Sequence, residues 1–134
     1  MVSGETTGRI GQGLLALAAV SRRDDESDLQ WMARKIFDLR VFNDDNGNLN
    51  LSLRDIRGQL LVVSQFTLYG DCKKGRRPSY SEAAPAAEAE ALYSRFVEIV
   101  RETVPGVQTG RFQAAMEVRL INDGPVTLIL DSKG

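Results

Sequence analysis

Gly58-Gln59-Leu60-Leu61-Val62-Val63-Ser64-Gln65-Phe66-Thr67-Leu68 is the most apolar stretch of the chain, and the fold turns on how it is read. Four consecutive aliphatic residues behind a glycine predict a buried strand over Gln59–Leu68. Ser64, Gln65 and Thr67 interrupt it with polar side chains, each of which needs a hydrogen-bond partner or a cavity to line. Upstream, Leu14–Val20 reads as a second buried strand, bounded by Gly11 and Gly13 before it and Ser21–Asp25 after it. From Glu26 to about Arg40, Leu29, Met32, Ala33, Ile36 and Leu39 recur at helical spacing, with Asp24 or Asp25 as N-cap. Asn46-Gly47 marks the turn of a hairpin between Val41–Phe42 and Leu49, Leu51 and Leu53.

Downstream, Pro85 opens a second helix with a buried stripe of Leu92, Tyr93, Phe96, Ile99 and Val100, and Pro105-Gly106 ends it. Strands over Met116–Ile121 and Val126–Leu130 follow, separated by Asn122-Asp123-Gly124-Pro125. Roughly six or seven strands and two helices that do not alternate give a single α+β domain over 1–134 with mainly antiparallel pairing. A doubly wound sheet is not expected.

Composition narrows the chemistry. The 134 residues are 43% hydrophobic and 26% charged, an ordinary globular balance. The apolar runs fall short of the roughly 20 residues that span a bilayer, and no export leader is evident, so no membrane role is expected. A lone Cys72 suits a reducing cytoplasm. With no histidine there is no Ser-His or Cys-His pair and no His-containing zinc site, and one cysteine makes no thiolate set. No metal and no cofactor are expected. Any acid–base work falls to carboxylates, hydroxyls, backbone groups or the substrate.

Several motifs are better read as structure. Gly11-Gln12-Gly13-Leu14-Leu15-Ala16 has the letters of a dinucleotide fingerprint, but a strand follows where a helix must open. Asn43–Asn48 lacks calcium ligands at the first and twelfth loop positions, Phe42 and Leu53, and is a hairpin turn. Trp31 is read as packing and Cys72 as an incidental thiol.

Lys73, Lys74, Arg76 and Arg77 crowd the loop Asp71–Tyr80, in a chain of net charge −1. The loop directly follows the most apolar strand, and Gly75 and Pro78 shape it. It is either a solvated surface loop or a phosphate-contacting one.

Ser64-Gln65-Phe66-Thr67-Leu68 and Asn122-Asp123-Gly124-Pro125-Val126-Thr127 together resemble the two signatures of the D-aminoacyl-tRNA deacylases. The likeness extends through Gly8–Leu15, Tyr69, Lys74–Ser79, Thr109–Phe112 and Val126–Ser132, in effect the whole chain. It implies that family's barrel-like α+β fold, and hydrolysis of the ester between a D-amino acid, or glycine, and the 3′ end of tRNA. It also implies catalysis around Ser64, Gln65, Phe66 and Thr67, with backbone amides holding the oxyanion and Thr67 positioning rather than attacking. Asn122, Gly124, Pro125 and Thr127 would form a chirality filter, a Gly-cisPro turn entering the partner subunit of a homodimer. Phe112 and Met116 would meet the terminal adenosine; Lys73, Lys74, Arg76 and Arg77 would track tRNA phosphates. DNA is not an expected partner.

The chain departs from the family's pattern twice. The strand that usually precedes the segment matching Val2–Gly8 is expected to be missing, and Gln113 stands where glycine is common. If that backbone needs positive φ, Gln113 crowds it. A catalytically impaired, nucleic-acid-binding homodimer is therefore the competing expectation.

Overall fold

The computed structural model of the chain describes residues 1–133. Its elements in order are β1 (Gly13–Ala18), α1 (Glu26–Asp38), β2 (Phe42–Asn43), β3 (Leu49–Leu51), α2 (Leu53–Ile56), β4 (Gln59–Ser64), a 3-10 turn (Phe66–Tyr69), α3 (Ala86–Thr103) and β5 (Gln108–Thr109). The α+β class holds.

Strand pairing differs from expectation. β4 is central in a three-stranded sheet of order β1-β4-β5, and both of its pairings are parallel. β1 runs beside it over six residue pairs, Gly13 opposite Gln59 through Ala18 opposite Ser64. The unbroken aliphatic run explains this: Leu60, Val62 and Val63 are all buried, as in a strand covered on both faces, a hallmark of parallel sheets. Parallel neighbours need long crossovers, which α1 with the hairpin and then α3 supply. The only antiparallel strand pair among the described residues is the hairpin β2–β3.

Three element boundaries move for local reasons. Asp25, not Asp24, caps α1: its side chain accepts the Ser27 and Asp28 amides, and Asp28 reaches back to the Asp25 amide. Leu53, expected in the hairpin, opens α2 behind a second capping box of Ser52 and Asp55. Pro85 caps α3 rather than sitting inside it. The residues 116–121 and 126–130, expected as strands, belong to no strand, and no strand pairs with them among the described residues. Ile121 and Ile129 stand almost fully exposed there.

The core lies on the sheet face carrying Leu60 and Val62. Leu29, Ala33, Ile36 and Phe37 of α1 meet Tyr93, Phe96, Val97, Ile99 and Val100 of α3 over it. Leu53, Leu60, Val62 and Val100 are the most completely buried side chains. Each contributes roughly 1.5–3 kcal/mol by burial. Tyr93 buries its ring here and satisfies its hydroxyl by donating to the Val62 carbonyl at 3.2 Å. No helix among the described residues is long and apolar enough to cross a membrane.

Gly11–Ala16 opens no helix, since β1 begins at Gly13. At the hairpin tip, Asp44 accepts the Asn46 and Asn48 amides, and Gly47 takes a φ of +79°. The first segment is therefore a bend at Gly11–Gln12 that runs into β1, and the second is a hairpin turn.

Candidate functional site

Because the sheet is parallel, β1, β4 and β5 all end at one edge, at Ala18, Ser64 and Thr109. Open sheets of this kind present their ligand sites at the carboxyl ends of the strands. Here that edge delivers Ser64–Thr67 and, beside it, the turn at 110–112.

β4 stops at Ser64 and not at Leu68. Gln65 breaks the strand with φ −144° and ψ 79°, and Phe66–Tyr69 coils into the 3-10 turn. The Gln65 amide is spent, donating to the Ala18 carbonyl at 2.7 Å. The Phe66 and Thr67 amides are the first two of the 3-10 turn and so have no partner within it. Among the described residues no other acceptor takes them. Two adjacent amides, Phe66 and Thr67, are thus left free to donate at this edge. The Gln65 carboxamide bonds the Thr67 hydroxyl at 2.5 Å, while Phe66 and Thr67 are both exposed. Phe66 meets Tyr80 edge-on with centroids 5.2 Å apart, a contact that sequence reasoning did not anticipate. Loop closure creates it, and no local pattern signals it.

Beside this, Phe112 stacks obliquely on Tyr93 at 5.8 Å. Met116 folds back over Gly110, its sulfur accepting the Arg111 amide at 3.4 Å. The approach is so close that a Cβ on Gly110 would lie 2.5 Å from Met116 Sδ. Met116 also lines a shallow cavity of about 370 Å³ with Met1, Ser3, Gly4, Ala115 and Glu117. Gln113 takes a φ of +61°, in a turn closed by the Ala114 amide on the Arg111 carbonyl. This position suits glycine, and the glutamine Cβ is strained there.

The basic loop is anchored at its base, where Asp71 and Ser79 exchange two backbone bonds of 2.7 and 2.9 Å. Gly75 turns it with a φ of +65°. Lys73, Lys74, Arg76 and Arg77 are all exposed, and among the described residues none is in a salt bridge. Four unneutralised cations therefore face solvent from one hairpin-like loop. Between this loop and the 3-10 turn lies a wide, open cleft of about 820 Å³, lined by Leu68–Lys73 and Asp131. Burial pushes the Tyr69 phenol up to about 12, with help from the carboxylates of Asp24, Asp131 and Asp28. Asp24 is raised as well, chiefly by burial, and its Oδ1 is buried without a partner among the described residues.

The residues 122–127 form a separate feature. Asn122 Nδ2 donates to Thr127 Oγ1 at 3.0 Å, the Gly124 amide donates to the Asn122 carbonyl at 2.8 Å, and the Gly124–Pro125 peptide is cis. Asn122, Gly124, Pro125 and Thr127 are all exposed. Among the described residues no hydrogen bond joins this turn to Ser64–Thr67. One chain therefore brings the first signature and Phe112 and Met116 to a common edge, while the second signature stays exposed and without a hydrogen bond to the first among the described residues.

Residues 1–131 match the family described as D-Tyr-tRNA(Tyr) deacylase. The chain is 57% identical over 132 residues to a D-aminoacyl-tRNA deacylase of Thermosipho africanus, covering 98% of this chain and 89% of that one. A D-aminoacyl-tRNA deacylase of Thermotoga petrophila is 54% identical with the same coverage. Among solved structures, a c-Myc DNA Unwinding Element Binding Protein superposes with a TM-score of 0.88 at 40% identity, over 94% of this chain and 86% of that one. A probable eukaryotic D-amino acid tRNA deacylase shares the fold, with a TM-score of 0.78 at 20% identity over 93% and 88%. With both signatures in place and similarity over nearly its whole length, the chain belongs to the D-Tyr-tRNA(Tyr) deacylase family.

Proposed function

We propose that this chain is a D-aminoacyl-tRNA deacylase: it hydrolyses the ester joining a D-amino acid, or glycine, to the 3′ end of tRNA and spares L-aminoacyl esters. The observation that carries this reading is the pair of unpartnered amides, Phe66 and Thr67, at the carboxyl edge of the sheet. Water adds to the ester carbonyl, and charge gathers on the carbonyl oxygen between these two donors. The 3′-oxygen then leaves and takes a proton, giving tRNA and the free amino acid. An aminoacyl ester is already activated, so preorganised donors suffice without histidine. The Thr67 hydroxyl, held by Gln65, orients the substrate and does not attack it. The chain has no histidine to deprotonate it.

In the same reading the working unit is a cytoplasmic homodimer, and each site receives the 122–127 turn of the partner. The exposure of that turn supports this. Carbonyls of Gly124 and Pro125 would then face the substrate Cα, rejecting an L side chain by steric and polar mismatch. Phe112 and Met116 take the terminal adenosine, and Lys73, Lys74, Arg76 and Arg77 take backbone phosphates. The extended residues 116–121 and 126–130 become antiparallel strands of a barrel-like core once neighbours cover Leu120, Ile121, Leu128 and Ile129.

The deciding measurement is hydrolysis of D-tyrosyl-tRNA beside L-tyrosyl-tRNA. Rapid loss of the D ester alone is the expected result, and equal loss of both overturns the chirality filter. Retention of both, with tRNA still bound, favours the second reading: a catalytically impaired nucleic-acid-binding homodimer. The unneutralised basic loop favours that reading too, and one solved relative is titled as a DNA-element-binding protein.

A further inference from the structure

We infer that Lys133 is a positioning residue: bonded to Asp28 at the head of α1, it fixes the return end of the arm that carries the 122–127 turn. The inference rests on the functional reading above. The arm leaves the body after Glu117, which is bonded to Met1, and rejoins it at Leu130, which packs against the core. Between them residues 118–125 are exposed throughout and lie in no strand. The place of the turn is therefore set largely by its two attachments.

The outgoing attachment is Phe112 on Tyr93, Met116 over Gly110, and Glu117 on Met1, where the Glu117 amide donates to the Met1 carbonyl at 2.9 Å and the Glu117 carbonyl accepts the Met1 amine at 2.6 Å. The returning one is Leu130 followed by polar bonds. Lys133 Nζ lies 3.0 Å from Asp28 Oδ2, and the Lys133 amide donates to Asp131 Oδ1 at 2.9 Å. Asp28 is a fixed post and not a loose carboxylate. Its side chain is only 12% exposed, and the same Oδ2 accepts the Asp25 amide at 2.9 Å to close the α1 capping box. These bonds hold the Asp28 carboxyl down at about 2, so it stays charged wherever the protein is folded and working.

Asp131 adds a second link. It borders the same cleft as Leu68 and Tyr69, so the anchored end of the arm abuts the continuation of the first signature. A surface ion pair between two mobile side chains fixes little. Here one partner is immobilised by a helix cap, and the other sits eight residues from Pro125 along a segment already held by Leu130. Losing the lysine would release the return end of the arm and let it pivot about its outgoing attachment at Glu117.

The test compares the unaltered protein with Lys133→Met and Lys133→Arg. In Lys133→Met, kcat on D-tyrosyl-tRNA is expected to fall about two- to fivefold, the range of an ion-pair contribution. KM should be unchanged, since the basic loop is untouched, and Lys133→Arg should return kcat to within about twofold. In parallel, amide hydrogen exchange over 118–130 should quicken in Lys133→Met and not in Lys133→Arg. An unchanged kcat or an unchanged exchange rate in Lys133→Met overturns the inference, as does an arginine variant as defective as the methionine one. If the unaltered protein hydrolyses neither ester, the functional reading fails by itself, and the exchange rates alone decide whether Lys133 holds the arm.

Discussion

The Gln65 carboxamide donates to the Thr67 hydroxyl across 2.5 Å, at the point where β4 gives way to the 3-10 turn. The bond orients the hydroxyl but does nothing to deprotonate it, because a carboxamide N–H is a donor only. Thr67→Ala keeps the Thr67 amide, the proposed oxyanion donor. The expected loss in kcat/KM is therefore about tenfold, or ~1.4 kcal/mol, in single-turnover hydrolysis of D-tyrosyl-tRNA. A fall to the uncatalysed rate would instead make Thr67 the nucleophile.

The basic loop closes on itself through Asp71 and Ser79, so charge can be removed without disturbing the body. Replacing Lys74, Arg76 and Arg77 together with alanine should raise the KM for aminoacyl-tRNA and leave the thermal midpoint unmoved. The slope of log affinity against log salt should shrink by about 2–3, close to one for each phosphate left without its cation. An unchanged salt slope would return these residues to the status of a solvated loop.

Gln113 holds a conformation that glycine adopts freely, with φ at +61°. Gln113→Gly should stabilise the fold by about 1 kcal/mol, the cost of a Cβ in the left-handed region less the added freedom of the unfolded chain. Urea titration checks this, and a loss of stability would mean that the Gln113 side chain makes a compensating contact.

Burial and three neighbouring carboxylates raise the Tyr69 phenol to about 12, above the usual value of 10. The folded state thus favours the neutral phenol. Its contribution to stability is complete below pH 10 and disappears as pH climbs from 10 through about 12. Thermal melts from about pH 9 to 12 should fall more steeply for the unaltered protein than for Tyr69→Phe, and parallel slopes would contradict the assignment.

A Cβ added to Gly124 meets nothing within 4 Å in its own chain. Gly124→Ala should therefore fold normally; in the proposed dimer its methyl group would intrude on the partner's site, so most of the D-ester hydrolysis should be lost. Full activity with unaltered D-over-L preference would detach this turn from the chemistry.

Much of this was legible in the residues. The helical stripes of α1 and α3 were plain from periodicity, since an amphipathic helix writes its buried face at a spacing of three and four. The Gly47 and Gly75 turns were plain too, as were both signatures. The direction of the sheet was not. The run Leu60–Val63 does say that β4 is covered on both faces, but no local pattern says which strands flank it or which way they point. The strands expected over 116–121 and 126–130 are not formed in this single chain for a related reason: apolar, β-branched sequence makes a strand only when a neighbour offers its backbone. At the site, sequence supplied the residue types around Gln65. It could not tell that the Gln65 amide is taken by Ala18, a residue 47 positions earlier, and so is withdrawn from the substrate. Likewise nothing marks a lysine near the end of the chain as the partner of Asp28.

The pairing of Gly13–Ala18 with Gln59–Ser64 also fixes the order in which the molecule can be made. During translation the first strand emerges with no partner and waits for the central one, a delay on the order of seconds at typical elongation rates. Leu14–Leu17 remains available to nascent-chain binding factors throughout that interval. β5 comes later still, at Gln108–Thr109. The edge that gathers Phe66, Thr67 and Phe112 is thus the last part of the body to be completed, and a chain stalled before residue 108 has no such edge.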